Sequence, residues 1–264
     1  MPEGDSLFKL AAELRPALAG ARLTRAELRV PALATADLTG RTVTEVLPRG
    51  KHLLMRLDDG WTLHSHQKMD GRWRLFRHGE PWRGGAAHQI RAVLGTASHT
   101  AVGYRLPVLN LVRTDEESTL VGHLGPDLLD PAWGPEHAEE AVRRLAAEPE
   151  RPIGDALLDQ RNLAGIGNVY RVELCFLRGM APWRPVGDAP DLRRTVDLAH
   201  RLLFANRLRH GHVTTGDLRP GRRNWVYGRA HQPCLRCGTL IRRQAPTDGG
   251  DDRVTYWCPH CQPE

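Results

Sequence analysis

The first residues of the chain, Pro2 and Glu3, carry two groups that could do chemistry together. If Met1 is removed, Pro2 presents a secondary amine, and such an amine is a strong imine-forming nucleophile. Glu3 lies one residue away, close enough to move a proton on whatever carbon the amine attacks. Because the same letters also begin ordinary chains, this hypothesis depends on what the rest of the sequence contains.

Four cysteines near the C-terminus have the spacing of a structural zinc ribbon: Cys234-x-x-Cys237, then 20 residues, then Cys258-x-x-Cys261. The pattern predicts two short strands, 239–244 and 253–257, joined through residues 246–252. Four thiolates leave zinc no open position, so the metal would fold this segment and do no chemistry. Disulfides explain the pattern poorly, because a fifth cysteine, Cys175, is left over and reads as a small buried residue on an apolar helix.

A third candidate site lies in the stretch 159–173, where Gly165 and Gly167 precede Asn168. The glycines let the backbone turn sharply, and we expect Asn168 to cap the helix that follows, so that free amides and a positive helix end converge. Such a place binds a phosphate group. The same letters are also typical of a plain connection between two helices, and the stretch alone does not separate these two readings.

His64 and His66 lie two residues apart on a predicted strand and therefore point to the same side of it. A metal pair is one interpretation, but no third ligand is evident nearby in the sequence. We therefore favour a structural role, or a role facing DNA, for these two histidines.

The element that must position the N-terminal pair is a helix over residues 6–19. Its buried face is expected to consist of five apolar residues: Leu7, Leu10, Ala11, Leu14 and Leu18. Asp5 or Ser6 can cap its start, Gly20 can end it, and Pro16 should end or kink it. The positive end of this helix would then point towards the N-terminal amine and lower its proton affinity.

Between residues 21 and 120 the pattern changes to short β-type runs separated by turn residues. The runs are 51–57, 61–66, 72–77, 90–94 and 108–112, and Asp58-Asp59-Gly60 predicts a hairpin between the first two. Helical patterns of about 10 to 15 residues, which connect parallel strands, do not lie between them. The sheets should therefore be antiparallel, as in a β-sandwich or flattened barrel.

After residues 122–127 the chain becomes helical, with helical periodicity over 135–147, 153–159, 168–178 and 192–209. The fold class is therefore α+β. We expect three parts: an N-terminal antiparallel β-sandwich domain with its leading helix (1–121), a helical domain (122–225) and a zinc finger (226–264). Proline and glycine between His123 and Pro135 mark the linker.

Composition and charge bound the function classes. The chain has 264 residues, a formal charge of +6 and a pI near 9.4, which favours a polyanionic partner such as nucleic acid. Only three of the 37 basic residues are lysine (Lys9, Lys51 and Lys68), and a lysine kept in such a background is favoured as a compact titratable amine. No apolar run approaches a membrane span and no signal peptide is evident, so we expect a cytoplasmic monomer with no membrane partner.

Four motifs follow one another in a fixed order along the chain. They are Pro2-Glu3-Gly4, the segment 49–54 (RGKHLL), the turn Gly165-Ile166-Gly167-Asn168, and the four-cysteine hairpin whose end, 255–262, reads TYWCPHCQ. Together they resemble the bacterial formamidopyrimidine-DNA glycosylase and endonuclease VIII family, and the resemblance runs essentially end to end. It implies a β-sandwich joined to a helix-two-turn-helix domain with a zinc finger, with damaged double-stranded DNA in the cleft between the domains.

The resemblance also implies an activity and its residues. Members of this family excise an oxidised base and then cut the strand as lyases. By similarity, Pro2 is the Schiff-base nucleophile, Glu3 the proton donor, and Lys51 a proton donor and phosphate contact for the first elimination. Arg253 would grip the phosphate and assist the second elimination, and Asn168 would hold phosphates beside the flipped nucleotide. One structural zinc ion is the cofactor implied.

Further DNA contacts are expected around the flipped nucleotide. A damaged base is unreachable within the stack, so its nucleotide must flip out and an apolar side chain must fill the gap. In the turn 67–71, Met69 matches the family's wedge position and Lys68 is a neighbouring DNA contact; the alternative for Met69 is a core residue. His88, just before a strand, resembles a further DNA contact of the family.

Departures from the family pattern bear on the substrate. Asp5-Ser6 stands where the family usually has Pro-Glu, so the second acidic residue is missing unless Asp5 substitutes one position early. The sequence shows no long glycine-bearing loop of the kind that purine-specific members use, only the segment 214–224, and no Arg-Phe pair in the second half of the sandwich, where Arg105-Leu106 is the nearest candidate. Together with Trp73 and the Pro-Glu-Gly start, these features favour the endonuclease VIII branch and oxidised pyrimidines as substrates.

Two other function classes stay open from the sequence. A non-catalytic protein that binds damaged DNA would keep the zinc finger, Asn168 and the basic surface. A protein that binds RNA or the ribosome could share the helix-two-turn-helix turn, but that alternative leaves Pro2, Glu3 and Lys51 unexplained.

Overall fold

The computed structural model describes residues 2–245 and 253–263. The predicted connection 246–252 and the fate of Met1 lie outside this range. The contacts divide the chain into two compact units, one of Pro2 with residues 6–123 and one of residues 3–5 with the chain from Leu124 onwards. The finer boundary at residue 225 stays a prediction. No helix in the described ranges is long and apolar enough to cross a membrane.

Helix α1 (Gly4–Leu18) opens the chain, and its five predicted core residues are all buried in one apolar core of the first unit. It starts two residues earlier than predicted, so Asp5 lies inside its first turn and not at the cap position. The helix continues two residues past Pro16. The predicted stop is confirmed, since Gly20, with a φ of +77°, lies two residues after the end of the helix.

The first unit holds two four-stranded antiparallel sheets, as predicted. Their strands are β1 (Arg25–Leu28), β2 (Val43–Arg49), β3 (His52–Leu57), β4 (Trp61–His66), β5 (Arg72–Arg77), β6 (Ile90–Gly95), β7 (His99–Tyr104) and β8 (Val108–Arg113). One sheet has the order β1-β6-β7-β5 and the other β2-β3-β4-β8. The predicted hairpin joins β3 to β4 through Gly60, whose φ of +77° suits glycine.

The core of the first unit lies between its two sheets. Leu53 and Leu63 of one sheet share an apolar cluster with Leu94 and Ala101 of the other, as expected for a β-sandwich. Val93, the neighbour of Leu94, instead joins a smaller cluster on the other face of its sheet. Successive side chains of a strand point to opposite faces, which explains this division.

The second unit is mainly helical and contains all four predicted helices. They are α3 (Pro135–Ala146), α4 (Ile153–Leu158), α5 (Asn168–Leu177) and α6 (Leu192–Asn206), after a short α2 (Ser118–Val121) in the first unit. Two short strands, β9 (Arg242–Gln244) and β10 (Thr255–Trp257), pair antiparallel and are shorter than predicted. An apolar cluster containing Val172 and Phe176 of α5 with Cys234, Ile241 and Cys258 packs this hairpin onto α5.

Candidate active site and metal centre

Glu3 is fully buried, and its carboxylate lies at the N-terminus of α5. It accepts hydrogen bonds from the backbone amides of Gly167 (2.8 Å), Val169 (2.7 Å) and Tyr170 (3.3 Å). Amides in the first turn of a helix have no partner within the helix, and its positive end favours an anion. The carboxylate is therefore held in one orientation by residues 164 to 167 positions away in the sequence.

This arrangement corrects the prediction for the turn before α5. Gly167, not Asn168, occupies the cap position, and glycine has no side chain with which to cap the helix. The amides that the sequence assigned to a phosphate are taken by Glu3, because the chain's own carboxylate supplies the anion. Asn168 is the first residue of the helix, and its side chain is free to reach elsewhere.

Two close approaches explain the glycines around Glu3. A Cβ atom on Gly167 would lie 2.5 Å from Cδ of Glu3, and one on Gly4 would lie 2.9 Å from Cα of Gly165. The amide of Gly4 also donates to the carbonyl oxygen of Gly165 at 2.8 Å. Only glycine fits at positions 4 and 167 without moving the N-terminal segment.

Pro2 is half-buried and is joined to Glu3 by a peptide bond. Since Glu3 is fixed at the helix end, the reach of the Pro2 nitrogen is limited to the few positions that its own backbone dihedrals allow. Pro2 therefore has the anchored position that a nucleophile at the N-terminus needs.

Asp5 is the second buried carboxylate of this segment. Its Oδ2 atom accepts a hydrogen bond from the hydroxyl of Tyr170 (2.7 Å) and lies 2.9 Å from Nδ1 of His212. Burial, followed by the charge of Asp5, raises the pKa of the Tyr170 hydroxyl. Sequence reasoning missed both partners, because no spacing rule connects position 5 with positions 170 and 212.

Asn168 lies against the finger hairpin. Its Nδ2 atom donates to the carbonyl oxygen of Val254 at 2.9 Å, next to Arg253 in the chain. Arg171, one turn further along α5, donates to the hydroxyl of Thr255 at 2.9 Å. The Oδ1 atom of Asn168 is buried and has no hydrogen-bond partner within the described residues. The structure thus brings Glu3, Asn168 and the start of β10 together in the second unit.

Lys51 is buried despite its place at the tip of the turn between β2 and β3. Burial, followed by the charges of Lys51, His64 and Lys68, lowers the pKa of His66 to about 4. Both lysines must therefore lie close to this imidazole. Two of the three lysines of the chain thus lower the pKa of one histidine of the first unit.

Met69 is 64% exposed, so the alternative of a core methionine is wrong. It follows Lys68, whose φ of +44° is in the left-handed region and whose amide donates to Nδ1 of His66 at 3.0 Å. This backbone turn presents the apolar side chain of Met69 to solvent. His88 is exposed on a short 3₁₀ turn directly before β6.

A cluster of imidazoles surrounds His64. Its Nε2 atom lies 2.8 Å from Nδ1 of His52, and its Nδ1 atom lies 3.2 Å from Nδ2 of Asn110. His66 and His123 pack edge-on against His52, with ring centroids 4.7 Å and 6.3 Å away. Burial is the largest cause that lowers the pKa of His52 to about 3 and that of His64 to about 4. His52 and His64 are therefore neutral at neutral pH and act as hydrogen-bonding groups of the sheet.

The four cysteines of the hairpin come together in the second unit. The sulfur atoms of Cys234, Cys237, Cys258 and Cys261 all lie within 4.8 Å of one another. A tetrahedral zinc ion with Zn–S bonds of about 2.3 Å needs S–S distances of about 3.8 Å, and the closest pairs lie at 3.4 Å and 4.0 Å. The donor set and its spacing fit a metal ion with four thiolate ligands. Cys175 is fully buried on α5, apart from this group.

Comparison with known proteins identifies the family. The formamidopyrimidine-DNA glycosylase N-terminal domain matches residues 1–105. The "Probable endonuclease 8 2" of Streptomyces coelicolor is 60% identical over 264 residues, covering 99% of this chain and 94% of that protein. The chain belongs to the formamidopyrimidine-DNA glycosylase and endonuclease 8 family. The resemblance predicted from four sequence motifs is confirmed.

Other members of the endonuclease 8 family match over their whole length. The DNA-(apurinic or apyrimidinic site) lyase Nei2 of Mycolicibacterium smegmatis is 51% identical, covering 99% of both chains. Endonuclease 8 of Escherichia coli is 33% identical, covering 99% of this chain and all of that protein. The names of these relatives place the chain on the endonuclease 8 side of the family, as Trp73 and the Pro-Glu-Gly start predict.

Solved structures of the family share this fold. The complex of Lactococcus lactis Fpg with DNA containing an abasic site has a TM-score of 0.79 at 22% identity, covering 99% of this chain and 100% of that one. The same protein with DNA containing an oxidised pyrimidine has a TM-score of 0.81 at 23% identity, covering both chains completely. At this level of identity the likeness concerns the fold alone.

Proposed function

We propose that this protein is a bifunctional DNA glycosylase and abasic-site lyase of base excision repair. The observation that carries the proposal is the carboxylate of Glu3, which is fully buried, held by three amides, and joined directly to the prolyl residue that would supply the nucleophile. An acid fixed next to a secondary amine is the pair that imine chemistry needs. The names endonuclease 8 and DNA-(apurinic or apyrimidinic site) lyase, borne by relatives, support the same activity.

The reaction begins with a free amine on Pro2, which exists only after Met1 has been removed. The amine attacks C1′ of the damaged nucleotide, the bond from C1′ to the base breaks, and the base leaves with the electron pair and takes up a proton. The proton that the attacking amine loses passes to the carboxylate of Glu3, which then protonates the ring oxygen of the sugar as the ring opens and leaves an iminium ion between C1′ and the Pro2 nitrogen. Loss of a proton from C2′ then expels the 3′ phosphate, and the strand is cut by elimination.

We assign three residues to the phosphates around that nucleotide. Lys51 would supply a proton and a phosphate contact for the first elimination, Arg253 would assist the second, and Asn168 would hold the flanking phosphates. The bond between Asn168 and Val254 supports this assignment, because it fixes the residue next to Arg253 onto the start of α5. The low exposure of Lys51 supports a lysine that is kept out of bulk solvent until DNA binds.

We further propose that Met69 fills the space that the flipped nucleotide leaves in the duplex, with Lys68 and His88 as DNA contacts. An exposed apolar side chain between polar neighbours costs solubility and has no partner within the described residues of its turn. Its insertion between base pairs would bury it. The polar groups of Lys68 and His88 are exposed and so can reach the DNA backbone.

The substrate class we propose is oxidised pyrimidines. The endonuclease 8 relatives support it, and so does the segment 214–224. In that segment the amides of Thr214 and Thr215 both donate to the carbonyl oxygen of Arg223 (2.8 and 3.2 Å). The bonds close the segment into a compact turn, which is unlike the long loop of purine-specific members.

The metal we propose for the four-cysteine site is one zinc ion with a structural role. Four thiolates complete its coordination, so when bound it supplies folding energy to the finger and no open position for substrate. We place the action of the protein, as a monomer, on the chromosome in the bacterial cytoplasm, because the relatives with the same full-length match are bacterial.

Borohydride trapping tests the proposal. Borohydride reduces the iminium ion to a stable amine, so the Met1-processed protein should form a covalent adduct with duplexes that contain one oxidised pyrimidine, and a weaker one with oxidised guanine. The matched control carries one extra residue before Pro2. In that variant the proline nitrogen is an amide, whose lone pair is delocalised, and no adduct should form although damaged DNA still binds.

Two results would contradict the proposal. An adduct with the extended variant would place the nucleophile elsewhere, with Lys51 as the first residue to examine. Tight binding of damaged duplexes by the processed protein, with no adduct on any lesion or abasic site, would mean that the protein is a non-catalytic binder of DNA damage.

A further inference from the structure

A second buried carboxylate, Asp5, lies two residues after Glu3 and is tied to the same helix. Asp5 is 3% exposed, and its Oδ2 atom meets both the hydroxyl of Tyr170 (2.7 Å) and Nδ1 of His212 (2.9 Å). The amide of Tyr170 donates to Glu3 at the same time (3.3 Å). Tyr170 thus links the two carboxylates of the N-terminal segment, and His212 adds an ionisable group on the far side of Asp5.

The surroundings of His212 favour its charged form. The groups that face it are Asp5 and Glu3 from the N-terminal segment and Tyr170 from α5, whose ring packs edge-on with centroids 5.3 Å apart. On its own segment, the guanidinium of Arg223 approaches the neighbouring Gly211. Burial, and to a smaller extent the N-terminal amine, would lower the pKa of His212, but the hydrogen bond to Asp5 and the two carboxylates outweigh them, and the pKa is raised.

We propose that Asp5 and His212 form a positioning pair for the N-terminal nucleophile, in which the imidazolium bonds the carboxylate of Asp5 and holds residues 3–5 against α5. The inference rests on the proposed function, since it assigns the pair to the attack by Pro2. Glu3 is already fixed by three amides, and the amide of Gly4 donates to the carbonyl oxygen of Gly165. The pair at Asp5 adds a side-chain attachment on the far side of Gly4, so the backbone that carries the nucleophile is held on both sides of this glycine.

The hold depends on pH because both partners of the pair can ionise. When His212 loses its proton, the bond to Asp5 loses its charge assistance, and hydrogen bonds to charged groups are about twice as strong as neutral ones. Asp5 then also lies near Glu3, a like charge, with less compensation. Residues 3–5 loosen, and Pro2 spends less time in the geometry for attack. Activity should therefore fall as the pH rises through the pKa of His212.

Two substitutions test the pair without removing its hydrogen bonds. His212→Gln keeps an N–H donor for Asp5 but cannot ionise, and Asp5→Asn keeps an acceptor for Tyr170 but carries no charge. The readout is the rate of borohydride trapping on a duplex with a pre-formed abasic site, from about pH 6 to about pH 9. The wild-type rate should fall on the alkaline side, and in both variants this fall should disappear. At neutral pH the maximal rate of the variants should be about tenfold lower, with little change in KM.

The matched control is His210→Gln, an exposed histidine two positions away, whose pH profile should follow the wild type. NMR titration gives an independent measurement: the pKa of His212 should lie above the ordinary histidine value in the wild type and fall in Asp5→Asn. If Asp5→Asn does not fold, Tyr170→Phe replaces it, because it keeps the ring and removes one of the two bonds to Asp5; the pKa of His212 should then rise.

The outcomes separate this inference from the proposed function. Two results would overturn the proposed role of the pair and leave the lyase activity unaffected. One is a normal trapping rate in His212→Gln with the same fall at alkaline pH as in the wild type. The other is a wild-type His212 pKa at or below the ordinary histidine value. If the wild-type protein forms no adduct, the proposed function fails and the assignment of the pair to the attack fails with it.

Discussion

Glu3 and Glu173 are two fully buried glutamates of this protein. Glu3 accepts hydrogen bonds from amides at the start of α5. Glu173 accepts hydrogen bonds from the consecutive amides of Trp225, Val226 and Tyr227, each at 2.8 Å. Burial raises the pKa of Glu173, and the amide bonds act against that rise. Hydrogen bonds offset part of the cost of burying a carboxylate, and each of these two carboxylates fixes a segment that is distant in the sequence.

The contact between Gly167 and Glu3 leads to a prediction for Gly167→Ala. The backbone of Gly167 is extended, with a φ of −120°, so alanine fits the chain conformation. Its Cβ, however, would lie 2.5 Å from Cδ of Glu3 and must displace the carboxylate. We expect base excision to fall by about one to two orders of magnitude and the free energy of unfolding to fall by about 1–3 kcal/mol. Single-turnover excision and urea denaturation measure the two effects.

The control for this change is Gly134→Ala. Gly134 is also extended, with a φ of −153°, and a Cβ there would meet only the carbonyl oxygen of Ala132 at 3.7 Å. Excision by that variant should match the wild type. Wild-type excision by Gly167→Ala would mean that the position of Glu3 does not limit the chemistry.

The imidazole cluster predicts a loss of stability in acid. The pKa of His64 is lowered to about 4 in the fold, whereas an unfolded histidine titrates near 6.5. Below about pH 6.5 the unfolded chain takes up a proton that the folded chain does not, so stability is complete above that pH and is lost as the pH falls towards 4. His64→Gln should remove on the order of 2 kcal/mol from the loss between pH 7 and pH 5.

Urea denaturation at the two pH values checks this prediction. His78→Gln is the matched control, because His78 is exposed and its replacement should leave the pH dependence as it is. An identical acid loss in His64→Gln and wild type would show that the cluster takes up protons in the folded state.

At the scale of elements, α5 is the support for both ends of the chain. Its N-terminus holds Glu3, and its buried face carries Val172 and Phe176, which share an apolar cluster with Cys234 and Cys258 of the finger. A strand pair of three residues each has too little core of its own. The finger must therefore depend on this face of α5 and, under the proposed function, on a metal ion held by its four cysteines.

The dependence on metal predicts the behaviour of Cys258→Ser. With a ligand removed, bound zinc should fall from one equivalent to less than about a tenth, since structural zinc sites fold only with their metal. DNA affinity should drop by at least about tenfold, because the segment with Arg253 is no longer held on α5. The β-sandwich should keep its far-ultraviolet circular dichroism. Metal analysis and a binding assay measure the two losses.

Cys175→Ala controls for loss of a thiol outside the four-cysteine group, on α5. Cys175 is buried apart from the cluster, and this variant should keep its full zinc content. A Cys258→Ser protein that binds and nicks damaged DNA normally would contradict the structural role of the metal.

At the scale of the whole molecule, the formal charge of +6 does not show which arginines meet DNA. Many of them are neutralised by carboxylates of the protein: Arg29 pairs with Glu27, Arg161 with Asp159, and Arg219 with Asp217. Exposed ion pairs of this kind contribute little to stability. Their arginines are nevertheless already paired, so they add less to the positive charge that can bind a polyanion. The arginines that contact DNA must therefore be identified by testing each residue.

The salt dependence of binding tests Arg253 as one such contact. Each phosphate contact contributes about 0.9 to the slope of log affinity against log salt concentration. Arg253→Ala should therefore make the slope shallower by about one unit on every sequence. Arg143→Ala is the control, because Arg143 is exposed and already paired with Glu140 on α3. An unchanged slope in Arg253→Ala would place that residue away from the DNA.

The amino-acid sequence by itself determined the elements and the group of four cysteines. The apolar spacing of α1, the hairpin at Gly60 and the four helices of the second unit follow from patterns that repeat within a few residues. The cysteine spacing likewise marks a four-thiolate site, because two Cys-x-x-Cys turns can close around an ion once a short hairpin forms. Local periodicity and local stereochemistry were enough for these predictions.

Only the tertiary structure decided what binds to these elements. The sequence indicated that the turn before α5 attracts an anion, but folding determined that the anion is Glu3 and that Asn168 is not the cap. The pairing of Asp5 with His212 joins positions 207 residues apart. No periodicity spans such a separation, and the identity of a partner depends on which segments the packing of the whole core brings to the same place.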